Sequence, residues 1–322
     1  MSRVTVLVAA YNAQKYLREC LDSLIGQTIN DIQIVCIDDA STDSTPVILA
    51  EYANKDKRIS VLRCNVNSGQ AKARNIGIKV ADGDYITMVD ADDRLSADAL
   101  EQAVSVLDSY PDTGTVLFRL LLFDSKGQTP YPMRTDKSVL SGQEAFELSL
   151  DWSVHGLYVS RTDLFRRFPY DTTCRLFSDD NTTRLHYLHS GTVRMCNGVY
   201  YYRQHAESMT NSISARRLDL LEANTSMARQ LRESGQDRSV LALFERERWI
   251  NLAGICGLWL SHKEIAGRNE VMERFRLVWN DIDKSLLPKG LQIKLGYIPC
   301  HSFRLYFLQI EFYFLLKRLL GK

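Results

Sequence analysis

Two aspartates separated by one residue are the feature of the sequence best suited to metal chemistry. Asp90 and Asp92 flank Ala91 directly after the apolar segment 85–89, where a buried strand would end. Carboxylates that close repel each other unless a cation lies between them, and a hard divalent ion with oxygen ligands satisfies both. The spacing therefore predicts a Mg²⁺ or Mn²⁺ site that keeps coordination positions for phosphate oxygens. The alternative is a solvated acidic turn that caps the next helix.

Two further groups of residues suit a nucleotide. Asp38 and Asp39 follow another apolar segment, and Asp39 can accept a hydrogen bond from a base imide or a ribose hydroxyl. Its alternative role is to cap the turn at 41–43. Gly69, Lys72 and Arg74 begin a helix, and cations at a helix N-terminus favour a pyrophosphate, although a solvated cationic face is the alternative. The glycine-rich fingerprints of dinucleotide and P-loop sites do not occur in the sequence.

The elements that must position these groups alternate over the first 125 residues. Apolar runs predict strands at 4–10, 32–37, 59–63, 85–89 and 115–123. Amphipathic spacing predicts helices at 14–25, 45–52, 70–80 and 97–107. This alternation is typical of a doubly wound α/β domain with a mostly parallel sheet, which binds ligands beyond the carboxyl ends of its strands. Four predicted strands are followed by polar loops, and that coincidence favours a ligand site over four separate helix caps.

The remaining chain is mixed and then helical. Helices are predicted near 143–150 and 181–189, and then at 215–234, 241–260 and 265–282. The composition is that of a globular protein, and a net charge of +1 provides no global field that favours nucleic acid. Seven scattered cysteines without a C-x-x-C pair predict buried thiols in a reducing compartment. With no apolar run of about 18 residues, we expect a cytosolic protein.

Four segments resemble motifs of family 2 glycosyltransferases with the GT-A fold, in the family's order. They are residues 8–12 (VAAYN), 34–43 (IVCIDDASTD), 67–75 (NSGQAKARN) and 88–93 (MVDADD). Ala9 stands where the family more often has proline. The resemblance implies an inverting, single-displacement transfer of a sugar from a nucleotide-diphosphate donor, which is held through a divalent metal at the D-x-D motif.

The resemblance also implies roles for individual residues. Ala10, Tyr11 and Asp39 should line the nucleotide, and Arg74 should contact its phosphates. Asp90 should face the ribose or the sugar, and Asp92 should be the firmest metal ligand. The predicted donor-binding residues are Ala10, Tyr11, Asn12, Asp38, Asp39, Gly69, Lys72, Arg74, Asp90, Ala91, Asp92 and Arg203.

An acidic pair later in the chain resembles the family's catalytic E-D motif. Residues 177–180 (FSDD) are followed by Arg184, as in that motif. The second carboxylate usually serves as the base, which assigns Asp180 to the acceptor hydroxyl, with Asp179 where glutamate is commoner. Adjacent acids should also raise one of the two pKa values. The alternative is that both acids only cap the helix.

Two more segments resemble family motifs around the diphosphate and the acceptor. Residues 202–210 (YRQHAESMT) are similar to Y-R-x-H-x-x-S-x-T, in which Arg203 and His205 would close over the diphosphate and His205 would reach the metal. Residues 152–158 (WSVHGLY) resemble the acceptor segment, with Trp152 stacking on a sugar and His155 beside it. A core tryptophan is the alternative.

Two patterns are interpreted as helix faces without chemistry. His186 and His189 have helical spacing, but no acid or cysteine completes a metal set around them. Residues 245–249 (ERERW) superficially resemble the Q-x-x-R-W of processive synthases, but Glu245 replaces the glutamine. We interpret this segment as a helix surface and the enzyme as non-processive.

The carboxyl-terminal segment 289–322 is basic and contains an apolar helix. Six lysines and arginines stand against a single acid, Glu311, and residues 303–320 are strongly apolar. Arg304, Glu311 and Arg318 recur every seven residues as a narrow polar stripe. Such a helix suits the headgroup region of an anionic bilayer. The alternative is a helix packed on the catalytic domain or on a second subunit of a homodimer.

These features predict a metal-dependent inverting glycosyltransferase of cell-surface polysaccharide synthesis, peripheral on the cytoplasmic face of the inner membrane. The donor is a nucleotide sugar, with UDP the commonest nucleotide by resemblance, and the acceptor is a saccharide or is lipid-linked. The predicted catalytic domain covers 1–210, with a donor half at 1–95 and an acceptor half at 96–210, and a helical region covers 211–322. A sugar-nucleotide pyrophosphorylase is expected to have a glycine-rich loop at the position of Tyr11 and Asn12. A non-catalytic binding protein would be expected to lose Asp92 or the 179–180 pair.

Overall fold

The fold is described from a computed structural model, which describes residues 2–205, 213–289 and 302–320. Contacts divide the chain into two compact units. The first unit comprises residues 1–172 and 179–211, and the second comprises residues 173–178 and 212–322. The functional roles predicted for the parts of the chain stay predictions.

The first unit is built around one sheet. Its strands are β1 (Val4–Ala10), β2 (Ile32–Asp38), β3 (Ile59–Arg63), β4 (Tyr85–Met88), β5 (Arg94–Leu95), β6 (Thr113–Asp124), β7 (Gly127–Pro130), β8 (Val139–Ser141), β9 (Tyr158–Arg161) and β10 (Thr192–Arg203). The strand order is β3-β2-β1-β4-β9-β6-β10-β5, with β7 on β6 and β8 on β10. Strands β3, β2, β1 and β4 run parallel, whereas β9 is antiparallel to both β4 and β6.

Helices cover both faces of this sheet, so its central strands β1 and β2 are buried along nearly their whole length. The helices are α1 (Leu17–Ile25), α2 (Thr45–Lys55), α3 (Gln70–Val80), α4 (Ala99–Ser109), α5 (Gly142–Leu150), α6 (Thr162–Arg167) and α7 (Ser178–Leu188). Alternate residues of β1 enter two separate cores: Val4, Val6 and Val8 face one, and Leu7 faces the other. Two-sided burial of a mostly parallel sheet confirms the predicted fold class.

The predicted elements agree with the structure best where the apolar period is long. β3 and α3 have the predicted bounds, whereas α1 begins at Leu17 because residues 13–16 form a turn closed by Tyr16 N donating to Ala13 O. The short elements β5, β7, β8, β9 and α6 were not predicted. Two to six residues carry too little periodicity, and their pairing partners lie far away in the chain.

Four long helices dominate the second unit. They are α8 (Asp219–Glu233), α9 (Arg238–Ser261), α10 (Arg268–Asp281) and α11 (Phe303–Leu319). Helix α9 packs against the other three around an apolar core that contains Trp259, Phe275 and Ile310. The predicted helix at 215–234 begins with a 3₁₀ turn over Ala215–Leu218. No helix within the described residues is long and apolar enough to cross a bilayer.

The interpretation of residues 245–249 as a helix surface is wrong. Glu245 is 3% exposed and Arg248 is fully buried. The Arg248 guanidinium donates to both carboxylate oxygens of Glu245 at 3.0 and 2.8 Å, and it also pairs with Asp281 of α10. Arg232 of α8 donates to Glu245 Oε1 at 2.6 Å. The charges tolerate burial because two other helices, α8 and α10, supply their partners.

The expectation that the cysteines are buried also needs correction. Cys20, Cys36 and Cys256 are buried, but Cys64, Cys174 and Cys196 are only partly so; Cys300 lies outside the described residues. His186 lies on a buried helix face, where its ring nitrogens contact the Tyr158 hydroxyl and the Phe168 carbonyl, each at 2.8 Å. Burial lowers the pKa of His186 to about 4, so this ring is neutral.

Candidate active site

Hydrogen bonds join the loops after β1 and β2 at the carboxyl edge of the sheet. Asn12 accepts a hydrogen bond from Thr42 N at 2.9 Å, and its own N–H donates to Ser41 Oγ at 3.0 Å. Asn12 has a φ of 49°, a left-handed conformation that asparagine tolerates better than most residues. Tyr11 is half exposed beside it. Asn12 therefore shapes the loop, while the Tyr11 ring is free to meet a ligand.

The two aspartates after β2 have different functions in the loops. Asp38 is fully buried and accepts from Ser41 N at 2.9 Å, so the turn-capping role considered for Asp39 belongs to Asp38. Asp39 instead accepts from Ser68 N at 2.9 Å and from Gly69 N at 2.8 Å. It thereby holds the loop that leads into α3. Gly69 has a φ of 92°, which a side chain would strain.

One guanidinium connects the two acidic motifs. Arg74 of α3 is 2% exposed, and its Nη2 donates to Asp90 Oδ1 at 2.7 Å. Its Nη1 lies 3.5 Å from Asp179 Oδ2, and the group stacks 5.1 Å from the centre of the Tyr170 ring. Gln70 Nε2 also donates to Asp90 Oδ1 at 2.7 Å. Asp90 of the D-x-D turn and Asp179 of α7 therefore face the same guanidinium.

This placement changes the expectation for Arg74. The resemblance implies a contact with donor phosphates, but the guanidinium is buried between carboxylates. Its position does not favour a direct contact with the donor. Lys72, two residues earlier, is exposed at the same end of α3 and is the better placed cation.

Arg203 organises the other side of the D-x-D turn. Its Nε donates to the Asp92 carbonyl at 2.7 Å, and its backbone N–H donates to Asp93 Oδ1 at 2.7 Å. The guanidinium lies 4.4 Å from the ring centres of both Tyr16 and Phe123 and pairs with Glu19. Arg203 thus fixes the turn that carries Asp92, besides any contact with the donor.

Asp93 and Tyr200 are site-forming residues that sequence reasoning missed. Asp93 is 1% exposed, and the Tyr200 hydroxyl donates to its Oδ2 at 2.8 Å. Burial and the nearby charge of Asp90 raise the pKa of Asp93 to about 9. Only the pairing of β10 with β5 brings Tyr200 to this turn. No local pattern in the sequence could have found that contact.

The residues at the D-x-D turn fit a divalent metal. Asp92 is partly exposed, and its Oδ2 lies 2.8 Å from Nε2 of His205. His205 Nδ1 is buried and, in the part of the chain that is described, lacks a hydrogen-bond partner. Those parts of the chain contain no cluster of three metal-binding side chains. A Mg²⁺- or Mn²⁺-type ion needs no such cage, since one or two carboxylates and phosphate oxygens commonly complete its shell.

The predicted catalytic acids and Trp152 share the region around the start of α7. Burial raises the pKa of Asp180 to about 7; Arg184 opposes this shift, and the charge of Asp179 adds to it. Arg184 is 3% exposed and lies 5.5 Å from the Trp152 ring centre. Trp152 is half-buried with a φ of 58°.

His155 is poorly placed to contact an acceptor. It is 3% exposed, and its ring packs edge-on against Tyr131 with 5.5 Å between centres. Burial lowers the pKa of His155 to about 4, so the ring is neutral. Its carbonyl accepts from the Tyr187 hydroxyl. These contacts support the loop that carries Trp152.

Comparison with known proteins shows the family to which this fold and its acidic motifs belong. The model of the family "Glycosyl transferase family 2" matches residues 5–173, more than half of the chain. The chain belongs to this family. The membership confirms the resemblance seen in the sequence and favours a glycosyltransferase over a pyrophosphorylase.

Bacterial relatives are similar over most of the chain. The "Uncharacterized glycosyltransferase EpsJ" of Bacillus subtilis is 31% identical over 218 residues, which cover 64% of this chain and 62% of EpsJ, less than two thirds of its length. The "Glycosyltransferase GlyG" of Streptococcus pneumoniae is 28% identical over 265 residues, which cover 77% of this chain and 86% of GlyG.

Solved structures confirm the GT-A fold. The structure of Staphylococcus aureus TarS 1–349 in complex with UDP-GlcNAc is similar with a TM-score of 0.71 and 21% identity, over 90% of this chain and 83% of TarS. The mannosyltransferase PcManGT from Pyrobaculum calidifontis, in complex with GDP-Man and Mn²⁺, has a TM-score of 0.54 and 19% identity, over 99% of this chain and 88% of the other.

Proposed function

We propose that this protein is an inverting glycosyltransferase that moves a sugar from a nucleotide-diphosphate donor, with UDP the favoured nucleotide, to an acceptor hydroxyl. The observation that carries this proposal is the position of Arg74 between Asp90 and Asp179. Arg74 contacts one carboxylate of each predicted motif, and this proximity supports a single-displacement reaction between them. The UDP-GlcNAc complex of TarS supports the choice of donor nucleotide.

In the proposed reaction, Asp180 accepts the proton of the acceptor hydroxyl as its oxygen attacks the anomeric carbon and the bond to the diphosphate breaks. Its raised pKa, about 7, suits a base that must hold this proton. Asp179 faces Arg74 and keeps the start of α7 oriented. A divalent ion held by Asp92, with Asp90 and His205 beside it, would stabilise the charge of the departing diphosphate.

The donor would lie along the carboxyl edge of the sheet. Tyr11 is open for stacking on the base, and Asp39 lies under the same edge with its carboxylate already engaged by Ser68 and Gly69. Lys72 and Arg203 would flank the diphosphate. The acceptor is proposed to be a saccharide or lipid-linked oligosaccharide of a cell-surface polysaccharide, such as lipopolysaccharide or capsule. Its transfer would take place at the cytoplasmic face of the inner membrane.

Calorimetric titration tests the donor site. UDP-, GDP- and dTDP-sugars are titrated in Mn²⁺ and again in EDTA, and we expect metal-dependent binding of one nucleotide. Asp92→Ala should lose that binding. Asp180→Asn should keep it while nucleoside diphosphate release in the presence of acceptor falls by about 10²–10⁴-fold. Equal loss of donor affinity in both variants would contradict the separate roles, and no binding to any sugar nucleotide by the folded protein would favour a non-catalytic function.

A further inference from the structure

Helix α11 has two apolar faces, of which only one is packed. Tyr306, Phe307 and Ile310 are buried in the core of the second unit. Leu308 and Phe312, from the same two turns, are 58% and 61% exposed. A helix that only packs on its own domain has a single apolar face, so the second face needs another explanation.

The exposed residues form one continuous stripe, which we call the outer stripe. Its members are Leu305, Leu308, Phe312, Leu315, Leu316 and Leu319, each 41–75% exposed. At 3.6 residues per turn, these six positions fall within an arc of about 100° that lies opposite the buried face. Scattered surface leucines are ordinary, but an aligned row along an entire helix marks an interaction surface.

Charged residues border the outer stripe along one edge. Arg304, Glu311 and Arg318 lie one after another at intervals of seven residues, which places them on a single line beside the leucines. Arg304 and Arg318 are exposed, and Arg318 Nη2 donates to Ser261 Oγ at 3.3 Å. The helix therefore presents an apolar surface that is bordered by two exposed arginines, one near each end.

The charges beside the outer stripe suit an anionic surface better than a second copy of the helix. In a parallel pair related by a twofold axis, the charged edge of each copy would face the opposite, uncharged edge of the other. In an antiparallel pair centred on Glu311, Arg304 would face Arg318, and only a register shifted by seven residues would pair Glu311 with an arginine. An anionic lipid surface offers phosphates to both arginines while the leucines enter the acyl boundary.

We propose that α11 binds an anionic bilayer surface through the outer stripe and lies in the plane of the interface. The binding itself does not depend on the proposed transfer. Its purpose, which is to bring the site to a lipid-linked acceptor, rests on the proposed function.

Vesicle co-sedimentation of the full chain tests this surface. We expect retention on phosphatidylcholine vesicles that contain phosphatidylglycerol, and little retention on phosphatidylcholine alone. The triple variant Leu308→Ser, Phe312→Ser, Leu315→Ser should weaken retention by about tenfold or more. The matched control Val47→Ser, Val80→Ser, Leu277→Ser, which removes exposed apolar residues elsewhere, should bind like the unchanged protein.

Two results would overturn the proposal. One is equal sedimentation of the unchanged protein and the stripe variant. The other is a dimer, measured by light scattering, that the stripe variant dissociates, which would assign the stripe to a second copy. Donor titration of the stripe variant separates the two proposals. Lost vesicle binding with unchanged nucleotide binding supports the membrane-binding role of the outer stripe. The proposed transfer is tested separately, by donor binding and turnover.

Discussion

Each unit of the protein buries an arginine against a carboxylate, and the two pairs differ in how completely the carboxylate is enclosed. In the second unit, Arg248 and Glu245 are both almost fully buried, both oxygens of Glu245 are paired, and only the outer partner, Asp281, is 41% exposed. In the first unit, Arg74 is equally buried, but the side chains of Asp90 and Asp179 are 25% and 42% exposed. The same ion-pair chemistry therefore encloses Glu245 and leaves both carboxylates of the first unit open on one side.

This difference indicates which cluster has a function beyond the fold. A closed buried pair has no oxygen left for a ligand, and its main effect is on stability. In the open cluster, hydrogen bonds within the described residues reach Oδ1 of Asp90 but not its Oδ2. Arg74 orients the carboxylates of Asp90 and Asp179 and leaves both of them partly exposed. The comparison predicts separate consequences for substitutions in the two clusters.

The largest effect is expected for the closed cluster. Arg248→Leu removes the buried partner of Glu245 and leaves this carboxylate only Arg232, so the free energy of unfolding should fall by about 3–5 kcal/mol. Chemical denaturation measures this change. The control is Arg246→Leu, an exposed position on the same helix, which should change stability by less than about 0.5 kcal/mol. If Arg248→Leu lowered the free energy of unfolding no more than Arg246→Leu does, the enclosed pair would not stabilise the fold. The distinction between the two clusters would then be wrong.

A smaller effect, on turnover, is expected for the open cluster. Arg74→Lys keeps the charge, but a single ammonium cannot reach both carboxylates as a planar guanidinium does. Nucleoside diphosphate release should fall by about 100-fold because Asp90 and Asp179 are no longer held by one group. Lys79→Arg, the reverse exchange on the exposed face of the same helix, is the control. A turnover loss in Lys79→Arg as large as in Arg74→Lys would argue against this role.

The smallest effect concerns pH. With the pKa of Asp180 at about 7, the proposed base is mostly protonated and inactive below that pH and ionised above it. Turnover should rise by about tenfold between pH 6 and 8 and then level off. Donor binding measured over the same range separates this effect from changes in affinity. A flat profile from pH 5 to 9, with donor binding constant, would be incompatible with Asp180 as the base.

The periodic part of the sequence predicted the sheet and its polar edge well. Strands such as β1 and β2 are nearly continuous buried runs because both faces of the sheet are covered, so their signal does not depend on distant residues. The positions of Asp39, Asp90 and Asp92 after strands placed them at one edge for the same reason. The roles of these residues stay predictions.

Contacts between distant segments could not be predicted in this way. Asp39 was expected to face a ligand or its own turn, but it holds Ser68 and Gly69. Arg248 was interpreted as exposed because a charged run on a helix usually is. Its burial depends on Asp281, 33 residues further along the chain. A single sequence contains no local sign that such a partner exists.

The sequence by itself determined the class of fold, the edge of the sheet where the site lies and the family to which the chain belongs. These depend on apolar periodicity and on motifs in which neighbouring residues act together. Only the tertiary structure decided that Arg74 joins the two acidic motifs, that Arg203 and Asp93 fix the D-x-D turn, and that the charges of α9 are buried. The physical reason is that the cost of burying a charge depends on partners that folding brings from elsewhere in the chain.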